Sequence, residues 1–252
     1  MPNPNNELDG GPFLIKLSGE AFGGNGEGVD GESLEFLGRE LLSAWREQCK
    51  ICVVVGGGNF YRGREAMSAT IDRIHADHVG MLATVMNGVI LQQWVQAQGV
   101  PSKVLSSIPV GTICDLYSPE LAKEALNAGV LVILVGGIGN PFVTTDTAAT
   151  LRALEIGAKI LIKATRVEGV FDRDPELFDT AIKIDELSFD TALAQQLKVM
   201  DAAAFALCRD NELSIRVLDV FDAGNLRRAV CGDEVGTLVI DRSVDHESNN
   251  SQ

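Results

Sequence analysis

The chain has 252 residues, of which 46% are hydrophobic and 22% charged, and its formal net charge at pH 7 is −14. The length suits one large α/β domain or two small ones, and the hydrophobic content is ample for a core. The negative charge argues against a nucleic-acid polymer or an anionic membrane as partner, because both need a basic footprint. Mononucleotides remain possible ligands, since a few local cations are enough to neutralise their phosphates.

The ends of the chain differ in composition from its middle. Residues 1–12 are polar and lack the basic stretch of a secretory signal, which predicts a flexible leader. Residues 241–252 are also polar and are predicted to be a disordered tail. Residues 13–240 contain no linker or repeat and no apolar run near the ~20 residues that span a bilayer. We therefore predict one domain and no membrane segment.

Five cysteines occur, two of them in a C-x-x-C pattern at Cys49 and Cys52 that permits a redox or zinc site. No second pair or paired histidines complete a metal set, and Cys52 lies inside an apolar run. We interpret the cysteines as buried, reduced thiols of a cytoplasmic protein.

The first predicted strand, Phe13–Leu17, carries a lysine near its end, Lys16. A glycine-rich loop, Gly23–Gly28, follows it and is superficially like a phosphate-binding loop. The Walker pattern G-x-x-x-x-G-K-[ST] is absent from the chain, which argues against a P-loop NTPase. Apolar residues at helical spacing then predict a helix over residues 32–48.

The next stretch, ICVVVGGGNFYRG, joins a continuous apolar run to three glycines. The run Ile51–Val55 predicts a strand buried on both faces, as in a parallel sheet. The glycines present bare backbone at the sheet edge where α/β proteins bind ligands, and Arg62 supplies a fork suited to phosphate. Two interpretations remain, a phosphate-binding nest and a simple glycine turn.

A long helical pattern covers residues 69–98, with a wide apolar face that packs on the sheet or on another subunit. Near its start, His75 and His78 share a helix face and either hold a metal or are solvated and hydrogen-bonded. Asp77 lies between them, where a carboxylate can accept hydrogen bonds from a pair of substrate hydroxyls.

Predicted strands over 103–106 and 130–135, with a helix over 119–127 between them, indicate a doubly wound, mostly parallel sheet. The fourth strand is followed by GGIGNPFVTTD, which lacks the third glycine of the dinucleotide fingerprint and so weakly supports a dehydrogenase. Its last residues precede a helix over 147–154. They are N-capping residues or contacts for a phosphate or polar base.

The fifth predicted strand, 159–163, ends in a second lysine, Lys163. A solvated lysine is the ordinary alternative, but Lys16 and Lys163 both lie at the ligand-facing ends of strands. Further along, Asp201 opens an alanine-rich helix, and strands over 215–220 and 237–240 complete the sheet.

Six segments in this order resemble the bacterial uridylate kinases of the amino-acid-kinase fold, over residues 13–240. They are KLSGEA (16–21), GGGNFYRG (56–63), DHVGMLATVMNG (77–88), GNPFVTTD (139–146), KATRVEGVFDRDP (163–175) and KVMDAAAF (198–205). The resemblance implies an α/β class, as a three-layer α/β/α sandwich around a mainly parallel sheet. It also implies a homohexamer that uses ATP and Mg²⁺ to convert UMP to UDP in pyrimidine nucleotide synthesis, with GTP as activator and UTP as inhibitor.

The resemblance also assigns residues by matching motifs. The ATP-binding residues would be Lys16, Leu17, Ser18, Gly19, Gly58, Arg62, Thr165, Phe171 and Asp174. The UMP-binding residues would be Gly57, Asp77, Ile138, Gly139, Asn140, Pro141, Phe142, Val143, Thr144 and Thr145. The GTP-activation loop would comprise Gly23, Gly24, Asn25, Gly26, Glu27 and Gly28.

Phosphoryl transfer needs positioning and charge neutralisation, so we predict catalytic roles for Lys16, Arg62, Asp146, Lys163 and Asp201. No residue is assigned as a protein metal ligand. Two departures from the family pattern are Ile138, where threonine is common, and Phe142-Val143, where two phenylalanines are usual. The alternatives are a sister carboxylate or carbamate kinase and a non-catalytic nucleotide-binding or storage oligomer of the same fold.

Overall fold

The structure, a computed structural model, describes residues 11–24, 28–61, 71–175, 177–197 and 199–241. Several predicted features lie outside these ranges. They are residues 1–10 of the leader, the loop centre Asn25, Gly26 and Glu27, Arg62, Lys198, and residues 242–252 of the tail.

The central strand of the main sheet is β1 (Pro12–Leu17), which pairs in parallel with β2 (Lys50–Val55) on one side and β6 (Ile160–Thr165) on the other. The remaining strands are β3 (Ser102–Ser106), β4 (Asp115–Leu116), β5 (Leu131–Val135), β7 (Val170–Phe171), β8 (Lys183–Ile184), β9 (Glu186–Ser188), β10 (Ile215–Asp219) and β11 (Thr237–Ile240). Among the described residues, the sheet order is β4-β3-β5-β2-β1-β6-β10-β11-β9, and β7 and β8 form a separate hairpin.

Within the main sheet only the β10–β11 pair is antiparallel, as far as the described residues go. The helices are α1 (Gly31–Trp45), α2 (Arg73–Ala97), α3 (Pro119–Asn127), α4 (Thr145–Ile156), α5 (Phe189–Ala194), α6 (Ala202–Asp210) and α7 (Asn225–Val230). Buried side chains of α1, α2 and α7 form a core on one sheet face, and those of α3, α4, α5 and α6 form a core on the other. The predicted three-layer α/β/α sandwich around a mainly parallel sheet is confirmed.

Alternation along β1 decides which way Lys16 points. Successive strand residues face opposite sides of a sheet. Leu14 packs in the core beneath α4, whereas Ile15 packs in the core beneath α1 and α2. Lys16 has the parity of Leu14, and Lys163 has the parity of Leu161, which lies in the same core. Both lysines are therefore directed towards the face that α4 covers.

Helix α2 is long and apolar enough, by length and composition alone, to cross a membrane, with a mean hydropathy of 1.2 over its best 18-residue window. The sequence contains no uninterrupted apolar run of that length, and 44% of the window is buried inside the protein. Met81, Val85 and Leu91 face the protein interior. The opposite face carries exposed apolar side chains, Val79, Leu82 and Met86, and Ile74 in the first turn is also exposed.

The structure differs from the sequence predictions in some details. Strand β6 continues to Thr165, so Lys163 lies two residues before its end. Cys52 and Cys208 are buried, but Cys49, Cys114 and Cys231 are only half-buried; all five lie in the described ranges, and none of them forms a disulfide there. The short elements β4, β7, β8, β9 and α5 were not predicted, because segments of two to six residues carry too little periodicity to detect.

Candidate active site

Lys16 and Lys163 are opposite each other on β1 and β6, and both contact one carboxylate. Lys16 Nζ lies 3.0 Å from Asp146 Oδ1, and Lys163 Nζ donates to Asp146 Oδ2 at 2.8 Å. Asp146 is in the first turn of α4, which the sheet parity places above both lysines. Lys163 Nζ also donates to the carbonyl oxygen of Val199 at 2.7 Å. The result is two ammonium groups held by a single aspartate.

Burial and charge oppose each other at this cluster. Burial raises the pKa of Asp146, but the ammonium groups of Lys16 and Lys163 outweigh it and hold that pKa below the ordinary 3.8. Burial lowers the pKa of Lys163 below its ordinary 10.5, and the Asp146 carboxylate offsets only part of that effect. The cluster carries one excess positive charge, which suits an anionic ligand.

Asp201 binds the start of α4 rather than the lysines. Its carboxylate accepts hydrogen bonds from the hydroxyl of Thr144 and, at 3.0 Å, from Thr147 Oγ1. It also caps α6 by accepting from the backbone nitrogen of Ala204 at 2.9 Å. These contacts fix the helix that carries Asp146, and the Asp201 charge also favours the protonated form of Lys163.

Thr144 is the N-cap of α4, and its hydroxyl accepts from the backbone nitrogens of Asp146 at 3.1 Å and Thr147 at 3.5 Å. Capping is thus its observed local role, as one of the two sequence interpretations proposed. The helix begins at Thr145, two residues before the predicted start. Its N-terminus, at Thr144 and Thr145, borders a cavity and directs the partial positive charge of the helix dipole towards it.

One cavity, of about 420 Å³, gathers many of the residues matched to UMP binding. It is bordered by Glu20, Gly57, Gly58, Tyr61, Arg73, Ala76, Asp77, Gly80, Met81, Thr84, Gly137, Ile138, Asn140, Val143, Thr144 and Thr145. Gly58, which the resemblance matched to ATP, lies here beside Gly57. Phe142 is not among the residues that border this cavity, and it is 64% exposed.

Asp77 connects this cavity's loop to helix α2. Both of its carboxylate oxygens accept from Arg73 Nε, at 2.9 and 2.8 Å, and Oδ2 also accepts from the backbone nitrogen of Phe142 at 2.7 Å. Phe142 adopts a positive φ of 69°, and its ring lies 5.6 Å from the Arg73 guanidinium carbon. Asp77 therefore shapes the segment 138–145 as well as bordering the cavity.

A second cavity, of about 500 Å³, lies beside Lys163 and gathers three of the residues matched to ATP binding, Thr165, Phe171 and Asp174. The Thr165 hydroxyl is engaged with backbone, donating to Val167 O at 3.0 Å and Leu218 O at 3.1 Å. Lys163 borders this cavity and contacts Asp146, which follows the Thr144 and Thr145 of the first cavity. The lysine–aspartate cluster thus lies between the two cavities.

The glycines of the loops divide into packing and cavity positions. A Cβ on Gly19 would lie 2.2 Å from the backbone nitrogen of Gly58, and one on Gly56 would lie 2.6 Å from the nitrogen of Gly19. The Gly56 nitrogen itself donates to Leu17 O at 2.8 Å, so this amide is used within the sheet. At Gly58 the nearest atom would be Glu20 Cγ at 3.8 Å, which leaves space on its cavity side.

The described ends of the loop matched to GTP activation are anchored to neighbouring segments. Arg166 donates to the carbonyl oxygens of Glu20 at 3.0 Å and Gly24 at 3.1 Å. At the other end, the nitrogen of Gly28 donates to Asn59 O at 3.0 Å. The loop is therefore tied on one side to Arg166, which follows β6, and on the other to Asn59, which follows the glycine segment Gly56–Gly58.

The sequence analysis did not identify several residues whose contacts shape the site. Arg73 could have been found from its i, i+4 spacing to Asp77 on a predicted helix. Asn87 could have been suspected as a polar residue on the apolar face of α2. Thr147 and Asn59 gave no signal, because their partners are distant in the chain.

Comparisons with known proteins agree with this architecture. The family model described as the amino acid kinase family matches residues 12–219. The chain therefore belongs to the amino acid kinase family. Within that family, its sequence and fold group it with the uridylate kinases.

Three relatives illustrate the grouping. The uridylate kinase of Xanthomonas oryzae pv. oryzae is 41% identical over 238 residues, covering 94% of this chain and 99% of that protein. The UMP kinase structure from Bacillus anthracis is 35% identical with a TM-score of 0.89, covering 92% of this chain and 96% of that one. The UMP kinase structure from Ureaplasma parvum is 30% identical with a TM-score of 0.86, covering 92% and 99%. The predicted family is confirmed.

Proposed function

We propose that this protein is a nucleoside monophosphate kinase that transfers the γ-phosphoryl group of ATP to UMP, giving ADP and UDP. The observation that carries the proposal is the position of the Lys16–Asp146–Lys163 cluster between two cavities. One cavity is bordered by the segment 137–145 and the other by residues 163–175. Relatives that are named uridylate or UMP kinases over nearly the whole chain support the choice of UMP as acceptor.

In this mechanism an anionic oxygen of the UMP phosphate attacks the γ-phosphorus of ATP. The new P–O bond forms as the bond from the γ-phosphorus to the β–γ bridging oxygen breaks, and ADP leaves with that electron pair. No general base is needed, because the attacking oxygen carries no proton. The ammonium groups of Lys16 and Lys163 stabilise the negative charge on the transferring group and on the departing ADP.

The remaining residues position the two nucleotides. Asp77 accepts hydrogen bonds from the ribose hydroxyls of UMP, and segment 138–145 surrounds its uracil and phosphate. Phe171 and Asp174 bind ATP in the cavity beside Lys163. Arg62, which lies outside the described residues, bridges the donor and acceptor phosphates. Asp201 acts through α4, keeping Asp146 in contact with both lysines.

Mg²⁺ fits this site as an ion that arrives with ATP. Within the described ranges no cluster of three or more His, Cys, Asp or Glu side chains forms a protein-built metal centre. Asp146 Oδ1 lies 3.0 Å from Lys16 Nζ, and a second lone pair on this oxygen could accept from a metal-bound water. When bound, Mg²⁺ neutralises charge on the ATP phosphates. Asp146 then holds the lysines beside them.

The proposed enzyme assembles as a homohexamer in the cytoplasm. The exposed apolar side chains Ile74, Val79, Leu82 and Met86 on α2 support burial against a second copy. Five cysteines that form no disulfide in the described part of the chain suit a reducing compartment. GTP is proposed as activator, acting at the loop that ends at Gly28, and UTP as inhibitor. Size-exclusion chromatography with light scattering tests the assembly.

The proposed reaction is tested by coupled ADP release with ATP and Mg²⁺, using UMP, CMP, dUMP, aspartate or acetylglutamate as acceptor, with and without GTP. We expect release with UMP and acceleration by GTP. No release with UMP, while UMP still binds, would indicate the non-catalytic oligomer. Release with aspartate or acetylglutamate alone would indicate a sister kinase. Equal use of CMP would overturn only the specificity for UMP.

A further inference from the structure

Two buried asparagines lie beneath the glycine segment of the first cavity. Asn59 follows Gly58, and Asn87 projects from α2; they are 6% and 0% exposed. Asn59 Nδ2 donates to Asn87 Oδ1 at 3.0 Å, and Asn87 Nδ2 donates to Asn59 Oδ1 at 2.7 Å. This reciprocal pairing joins the segment after β2 to the middle of α2.

Each amide also donates its second hydrogen to backbone. Asn87 Nδ2 donates to the carbonyl oxygen of Gly56 at 2.7 Å, and Asn59 Nδ2 donates to that of Gly28 at 2.7 Å. Both side chains therefore donate both of their hydrogens, as buried amides require. Turning either amide over would set oxygen against carbonyl oxygen, so the arrangement has one orientation.

Gly56 is held at both its nitrogen and its carbonyl oxygen, and the asparagine pair supplies the second of these contacts. The Gly56 nitrogen donates to Leu17 O on β1 at 2.8 Å, and its carbonyl oxygen accepts from Asn87. Gly57 and Gly58, the next two residues, border the cavity that contains Asp77. The direction in which these two residues present their backbone therefore depends on Asn87.

Asn59 adds a connection to the segment that ends at Gly28. Its backbone oxygen accepts from the Gly28 nitrogen at 3.0 Å, and its side chain donates to the Gly28 oxygen. A displacement of Gly28 is thereby transmitted to Asn59, and through the amide pair to Gly56. We propose that Asn59 and Asn87 are positioning residues that set the glycine segment for the acceptor nucleotide and couple it to residue 28. This inference rests on the proposed function.

The test uses Asn87→Asp and Asn59→Asp, which keep side-chain size but replace the donating nitrogen with an oxygen. The matched control is Asn225→Asp, because Asn225 is also buried and also donates to a backbone oxygen, that of Asp219 at 3.0 Å. Circular dichroism and thermal unfolding establish that each variant folds. Hydrogen exchange of residues 56–61 and steady-state kinetics with varied UMP and varied ATP follow.

We expect faster exchange over residues 56–61 in both pair variants and a KM for UMP raised about tenfold or more, with the KM for ATP changed less than about threefold. The control is expected to match the wild type in both readouts. Unchanged exchange in this segment, or an equal rise in both KM values, would overturn the inference. If the wild-type protein releases no ADP with UMP, the proposed function fails, and the exchange result still decides whether the pair holds the segment.

Discussion

Lys16 and Lys163 are direct neighbours across the parallel strands β1 and β6, and the single carboxylate of Asp146 contacts both of their ammonium groups. Like charges opposed across a strand pair are unfavourable, so the aspartate makes this arrangement tolerable in the folded protein. Bound phosphates would add further negative charge at the same place. The site is thus preorganised for anions before any ligand enters.

The first prediction concerns the lysines. Lys16→Ala is expected to keep the fold and to lower kcat by about 10²–10³-fold, because one group that stabilises transition-state charge is lost. Coupled ADP release measures kcat, and circular dichroism verifies folding. Lys123→Ala, which removes an exposed lysine on α3, is the control and is expected to leave kcat unchanged. Normal turnover by a folded Lys16→Ala protein would refute the role.

The second prediction concerns Asp146 and pH. Its folded pKa lies below 3.8, so the carboxylate contributes stability that is present above about pH 3.8 and is lost as pH falls through the lowered folded value. Asp146→Asn removes that contribution and leaves the two ammonium groups opposed, at a cost of about 3 kcal/mol near neutral pH. Thermal unfolding should show a gap in Tm between wild type and variant that narrows on acidification below pH 3.8. A gap independent of pH would contradict this account.

The third prediction concerns Asp77. Asp77→Asn keeps an acceptor for the Phe142 nitrogen but loses the charged contact with Arg73, and we expect the KM for UMP to rise roughly 10–100-fold. Asp72→Asn is the control, since Asp72 caps the same helix and asparagine caps equally well. Isothermal titration with UMP provides the direct measurement. Equal affinity in the wild type and Asp77→Asn would argue against Asp77 as a UMP contact.

The fourth prediction separates two glycines. Gly19→Ala places a Cβ 2.2 Å from the Gly58 nitrogen and is expected to destabilise the protein by about 2 kcal/mol or more. Gly58→Ala meets its nearest atom only at 3.8 Å, so its stability should change by about 0.5 kcal/mol or less. Its new methyl group borders the UMP cavity and is expected to raise the KM for UMP. Urea unfolding and kinetics on both variants check the contrast, and similar stabilities would refute it.

The fifth prediction concerns Glu40, which joins α1 to the start of α7. Its Oε1 accepts from the Gly224 nitrogen at 2.9 Å, and burial raises its pKa above the ordinary 4.5. A raised carboxyl pKa means that folding stability falls as pH rises from about 4.5 towards the folded value, because the charged form is disfavoured in the folded state. The Tm of Glu40→Gln relative to wild type should therefore increase across that range. A constant difference between pH 4 and 7 would contradict the prediction.

Much of the fold followed from local patterns in the sequence. Apolar runs such as Ile51–Val55 predict buried strands, and their alternation with amphipathic helices predicts a parallel sheet, because each pattern must bury its own apolar surface. Helix α3 and strand β11 have the predicted bounds. Short elements such as β7 and α5 escaped prediction, since tertiary contacts rather than periodicity stabilise them.

The sequence by itself determined the fold class, the family motifs and the presence of a lysine near the end of two strands. Only the tertiary structure decided that Lys16 and Lys163 are register partners, that Asp146 contacts both, and that Asn59 pairs with Asn87. The physical reason is that periodicity reports which face of an element is buried, whereas strand register and helix placement follow from packing between segments distant in the chain.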